Sequence, residues 1–328
     1  MSNCYRFFEL FVTDVRRHKD KYGVFFKSEP LATVAQDASL NKSFERLDKA
    51  DSVRLIENGP LRATIRVVRT WHDSKFVQDI SMYAGLDRVD VTNDIDWHET
   101  HILLKAAFPL AASSDFATFE IPYGSIERPT TRNNSWEAAK FEVPALRWAA
   151  LDDAQHGLSL INESKYGYDA KGNVLRISLL RSPVWPDPEA DRGHHHFSYS
   201  IYPHAGSWKQ ALTVRRGYEF NYKLKATQVE AHEGGQPEKS FVSVASENVV
   251  LTAIKKAEDS DSLVLRMYEW AGKPADVQIK IPSGGIRATL TNLMEQSQGP
   301  PIVVSNGNSI VVPIHPYEIL TMRVDYSR

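Results

Sequence analysis

The chain has 328 residues, 42% of them apolar and 24% charged, a balance that allows a soluble globular protein to bury a substantial core and argues against disorder. Its formal net charge of −2, with no Lys/Arg run, removes the electrostatic case for nucleic acid or an anionic membrane as a partner. Cys4 is the only cysteine, so neither an internal disulfide nor a thiolate metal cluster can form within one chain, which points to a reducing, cytoplasmic setting.

The first dozen residues hold a short apolar stretch interrupted by Glu9 and followed by Asp14, Arg16 and Arg17, which suits neither a spanning helix nor a signal peptide. Residues 31–38 are too short to assign. From Leu61 onward, Leu61, Ala63, Ile65 and Val67 alternate with Arg62, Thr64 and Arg66, the period of two that makes a half-buried strand. The same alternation returns at residues 89–97, 174–180, 197–201, 277–281 and 320–326, with Gly, Pro, Asn or Asp near the breaks. The spacing predicts a short helix over residues 207–216 and little other helix. No βαβ rhythm, phosphate-cradling glycine loop or fixed-period repeat is present, which disfavours nucleotide-binding folds. The polar stretch 231–240 reads as a linker, with 255–262 as a competing boundary. The expected organisation is all-β, with a large domain over residues 1–240 and a small β domain over 241–328.

Two stretches concentrate chemistry. Residues 94–101 bring together Asp94, Asp96, Trp97, His98, Glu99 and His101, groups suited to proton transfer and to stacking on a sugar ring. Strand parity puts Asp96 and His98 on one face and Trp97 and Glu99 on the other, so His98 and Glu99 are not expected to form an acid-base dyad. The spacing of His98 and His101 also lacks the i, i+4 repeat of the helical zinc motif. The bland alternative buries Trp97 and leaves the polar groups hydrogen-bonded at a sheet end.

Residues 181–196 form the richer stretch: Pro183, Pro186 and Pro188 stiffen a loop that carries carboxylates, arginines and imidazoles into a strand. Asp187 and Asp191 are suited to accept hydrogen bonds from paired hydroxyls, and Arg192 to donate them, an internal ion pair being the alternative. His194 and His196 share a strand face and would chelate a metal only with a third ligand from elsewhere, so no metal is assigned. His204 is expected to cap a turn. Trp136, Trp148, Trp185 and Trp208 are each either core or a stacking platform, and sequence alone does not separate those fates.

The order of motifs is informative: Glu57-Asn-Gly-Pro-Leu-Arg-Ala63, Asp96-Trp-His-Glu99, Leu104-Lys-Ala-Ala-Phe-Pro109, Tyr123-Gly-Ser-Ile-Glu-Arg-Pro-Thr130, Asn133-Asn-Ser-Trp136, Phe141-Glu-Val-Pro144 and Lys165-Tyr-Gly-Tyr168. Gly172-Asn173, Leu179-Leu-Arg181 and the run from Pro186 to His204 follow. This succession resembles the C-terminal β region of glycoside hydrolase family 38 α-mannosidases, in the branch of vacuolar and bacterial cytoplasmic enzymes. The likeness runs from Glu57 to Leu224 and more weakly to the end, while the first fifty residues match poorly and read as a divergent sandwich edge. At Ala150 the family pattern leads one to expect an aspartate.

The resemblance implies a mutarotase-like β supersandwich followed by a small β-sandwich. It also implies that the zinc and the catalytic aspartate belong to an N-terminal α/β domain that this sequence does not contain, so no catalytic residue and no cofactor is expected in this chain. The expected partners are an α-mannoside or other carbohydrate and a catalytic α-mannosidase domain or subunit, with Asp187, Asp191, Arg192 and His194 on the rim of the sugar cleft. A free-standing carbohydrate-binding module and an aldose epimerase-like enzyme are the alternatives.

Overall fold

The computed structural model describes residues 33–36, 44–47, 49–153, 155–230, 233–234 and 239–326, so the expectation about the first dozen residues lies outside the described set. Where the sequence alternates, the backbone is strand, except at the terminal residues Leu61 and Ile281 of two of the stretches. The clearest case is β6 (Val89–Trp97), which buries Val89, Val91, Asn93, Ile95 and Trp97 and turns the residues between them outward.

The first unit is a sandwich of two sheets, with strands numbered in chain order. Its nine-stranded sheet runs β3 (Ser52–Asn58), β4 (Arg62–Trp71), β5 (Ser74–Tyr83), β6, β15 (Gly193–Ala205), β12 (His156–Asn162), β11 (Trp148–Asp152), β8 (Phe116–Ile121) and β9 (Gly124–Pro129). Its six-stranded sheet runs β10 (Val143–Pro144), β13 (Gly167–Lys171), β14 (Val174–Leu180), β7 (Ile102–Pro109), β1 (Thr33–Gln36) and β2 (Phe44–Arg46). Thus 33–36, unassigned from sequence, is a strand near one edge of this sheet. Leu104, Ala106, Tyr168, Leu175 and Ile177 from the smaller sheet meet Phe76, Val91, Ile95, Trp97, Leu160, Phe197 and Tyr199 from the larger one in a single core. A buried polar row crosses that core face: Arg69 donates to Gln78 (3.0 Å) and Gln78 to Asn93 (2.7 Å), which fixes the register of β4, β5 and β6 as well as their depth.

Helix is confined, among the described residues, to one turn at α1 (Ser135–Ala138) and to α2 (Thr213–Asn221). The helix expected over 207–216 therefore starts later, because Leu212 adopts a left-handed φ of 54° that interrupts any helix running through it. Gly217 is tolerated inside α2 because a Cβ there would lie 3.1 Å from Trp148; the bare Cα lets the helix lie close over β11. Trp148 in turn meets Trp208, ring centroids 4.9 Å apart, so these two tryptophans are core. Ala150, on the same strand, is also buried.

The second unit begins after Leu224 and takes in the turn Pro122–Ser125. Its four-stranded sheet runs β17 (Val249–Lys256), β18 (Leu263–Glu269), β22 (Ile319–Tyr326) and β20 (Gly285–Thr291), and its three-stranded sheet runs β16 (Ser243–Val244), β19 (Ala275–Lys280) and β21 (Ser309–Ile314). Leu265, Met267, Val277, Ile279, Ile310, Val312, Met322 and Val324 form a core of its own. The described residues between Lys225 and Val242 contain no strand. No described helix is long and apolar enough to cross a membrane.

Candidate functional site

The loop 181–192 joins β14 to β15, and its neck is fastened by the side chain of its penultimate residue. Asp191 Oδ2 accepts hydrogen bonds from the backbone N–H groups of Ser182 (2.9 Å) and Arg181 (3.1 Å), and the Asp191 carbonyl accepts one from His195 Nε2 (2.7 Å). Asp191 holds a left-handed φ of 64°, a conformation aspartate tolerates better than most residues. Ser182 ties the neck to the neighbouring strand end: its hydroxyl accepts from the buried Trp97 indole, and its carbonyl accepts from the His101 N–H at 2.8 Å.

Beyond the neck the loop stands in solvent. The Trp185–Pro186 peptide is cis, and Trp185 is 83% exposed. Asp187 Oδ1 accepts from the Glu189 N–H (2.9 Å), which closes a local turn and leaves its second oxygen outward. Arg192 lies 3.9 Å from Glu189 with both side chains exposed, a contact worth little and easily given up to a ligand.

Register brings the second chemical stretch to the same place, since Gly193 pairs with Trp97 and His194 with Asp96. Asp96 Oδ1 lies 2.9 Å from His98 Nε2 and 3.7 Å from His194 Nε2. Glu99 points elsewhere, accepting from Ser74 Oγ at 2.7 Å and lying 3.5 Å from His72, so His98 and Glu99, both just past the end of β6, engage different partners. Beneath them Trp71 and Trp97 stack with centroids 6.2 Å apart.

The structure thus gathers Asp191, Arg192 and His194 at one sheet end, with Asp187 farther out on the loop. Asp96 and His98 join them. So does Lys165, which sequence reasoning did not select although it opens the Lys165-Tyr-Gly-Tyr168 motif. Lys165 is half-buried with its ammonium over the Phe197 ring (4.2 Å); burial lowers its pKa, and the charge of Asp191 opposes that shift. Among the described residues no three His, Cys, Asp or Glu side chains are grouped so as to hold a metal ion. His204, far along β15, donates from Nδ1 to the Gly206 carbonyl (3.1 Å) and so closes the turn there.

Comparison with known proteins adds a family to this geometry. The glycosyl hydrolases family 38 C-terminal domain model matches residues 18–189, and the family 38 C-terminal beta sandwich domain model matches residues 248–322. The match therefore reaches further toward the N-terminus than the motifs suggest, taking in most of the first fifty residues. The chain is 38% identical over 244 residues to alpha-mannosidase G of Dictyostelium discoideum, covering 71% of this chain and 22% of that protein. It is 36% identical over 306 residues to human alpha-mannosidase 2C1, covering 91% of this chain and 29% of that protein. The crystal structure of an alpha-mannosidase from Enterococcus faecalis V583 superposes with a TM-score of 0.73 at 17% identity, over 90% of this chain and 38% of that one. The chain spans less than a third of the length of these curated relatives, and the two family models fall in order on its first and second sandwich, the first over more than half of the chain: it belongs to glycoside hydrolase family 38, as the C-terminal β region of that family.

Proposed function

We propose that this chain is the β portion of an α-mannosidase, holding one wall of the sugar cleft for a catalytic domain that supplies the zinc and the nucleophilic carboxylate. The supporting observation is the fastened neck of the 181–192 loop: two backbone donors on one Asp191 oxygen hold Arg192 and His194 at a fixed end of β15. In this reading Arg192 donates to hydroxyl oxygens, the outward oxygen of Asp187 accepts from hydroxyl protons, and His194 serves as either through its tautomers. The catalytic domain is either part of the same longer protein or a separate subunit, in a reducing compartment such as the cytoplasm.

The test is reconstitution. The 328-residue chain with added zinc is expected not to turn over an aryl α-mannoside, and to support turnover when combined with a family 38 catalytic domain. Arg192→Ala is then expected to lower kcat/KM of the reconstituted enzyme by about 1–3 kcal/mol of transition-state stabilisation. Full activity in that variant would remove the cleft-wall role.

A further inference from the structure

Trp136 is 83% exposed, yet nothing about its setting is loose. The segment 131–142 that carries it is fastened at three points. At its start the Arg132 guanidinium donates to the carbonyls of Thr131 (2.7 Å), Lys140 (3.1 Å) and Ala170 (3.1 Å). In its middle the Glu137 carboxylate accepts from Thr131 Oγ1 (2.7 Å), the Asn133 N–H (2.8 Å) and the Asn134 amide (2.8 Å). At its end Glu142 meets the buried Lys105 ammonium and the Ser178 hydroxyl. The backbone beneath a large apolar ring is therefore fixed while the ring itself stands in water, where it gains little of the burial that normally offsets the entropy of ordering.

The ring borders an open cleft of about 500 Å³, whose lining includes Phe116, Asp115, Asn133, Glu137 and Lys140. Among the described residues, the Asn133 side-chain amide and the Asp115 carboxylate have no protein hydrogen-bond partner. An indole face ringed by an amide, a carboxylate and an ammonium suits a pyranose, which offers an apolar C–H face and hydroxyls around its rim. Protein-docking surfaces are built the other way, with charge depleted from the centre.

We propose that this cleft binds a neutral oligosaccharide of two or three pyranose units, one ring stacked on the Trp136 indole and its hydroxyls hydrogen-bonded by Asn133, Asp115 and Lys140. The volume falls in the range of small-ligand sites. The inference stands on residues 115–140 and does not require the 181–192 loop to touch sugar.

The test titrates the full chain with α-linked mannotriose, read by calorimetry and tryptophan fluorescence. Saturable binding in about the millimolar range is expected, weakened about tenfold or more in Trp136→Ala and kept within about threefold in Trp136→Phe. If circular dichroism shows Trp136→Ala unfolded, Asn133→Ala replaces it, with a loss of about threefold or more expected. Absence of saturable binding to the unmodified chain overturns the proposal, as does unchanged affinity in the folded variants. If Arg192→Ala abolishes binding while Trp136→Ala does not, the sugar sits at the 181–192 loop and the cleft proposal fails while the cleft-wall reading survives. If Trp136→Ala leaves sugar affinity intact but weakens association with a catalytic domain, the indole docks protein and the proposal is likewise overturned.

Discussion

Asp191 and Arg192 are neighbours with different occupations, a distinction their chemistry alone does not reveal. Asp191 spends one oxygen on two backbone N–H groups, one from the fully buried Ser182, so Asp191→Ala leaves a buried donor unpaired and is expected to cost about 1–3 kcal/mol. Arg192→Ala is expected to change stability by no more than about 0.5 kcal/mol. Thermal denaturation of the two single variants checks the contrast; equal losses would contradict it. At the other end of β15, a Cβ on Gly157 would meet His204 Cε1 at 2.3 Å, so Gly157→Ala must displace the ring and break its bonds to Ser159 and Gly206, at about 1–3 kcal/mol by urea titration. Burial lowers the pKa of His204, with the backbone carbonyls of Gly206 and Ala205 opposing the shift. The unfolded chain therefore takes up a proton near pH ~6.5 that the native state refuses, and the stability this contributes is present above that pH and drains away as pH falls below it. The drop in Tm from pH 7.5 to 5.5 should be smaller in His204→Asn than in the unmodified chain.

At the scale of elements, what could be read from sequence was what repeats locally. Residues 89–97 and 174–180 fall on β6 and β14 at the bounds expected, because a buried face imposes a strict period of two. The onset of α2 was displaced because Leu212 takes a left-handed φ and the helix is held by a long-range contact of Gly217 with Trp148, neither of which has a local signature. The fates of the four tryptophans were equally hidden, since tertiary placement buries Trp148 and Trp208 and leaves Trp136 and Trp185 exposed. The same holds for Lys105, whose local sequence gave no hint that its ammonium would be buried between Asp169 (2.6 Å) and Glu142. Arg176 also pairs with Asp169, at 2.7 Å. Lys105→Met removes one charge from a network that needs it, and the stranded carboxylates should cost about 3–5 kcal/mol, measured by denaturant unfolding. A loss below about 1 kcal/mol would mean the network rearranges without its centre.

For the whole molecule, the candidate site was legible as a list of residue types at 94–101 and 181–196, while their meeting depended on the antiparallel register of β6 with β15, which no local pattern reports. That register has a further consequence. β15 is the middle strand of nine, thirteen residues and about 40 Å long, with β6 beside its residues 193–201 and β12 beside 199–205. The amides that these ladders pair should exchange with deuterium more slowly than those of the edge strands β3 and β9, approaching the rate set by global opening. The end that carries His194, with Arg192 just before it, is held through the ladder to β6, which runs unbroken from Gly193 to Ile201. Fraying at the rim of the sheet leaves the spacing of Asp96, Arg192 and His194 unchanged, so on heating any recognition made there should persist undiminished and vanish together with the fold, without a milder stage in which the protein is intact but blind.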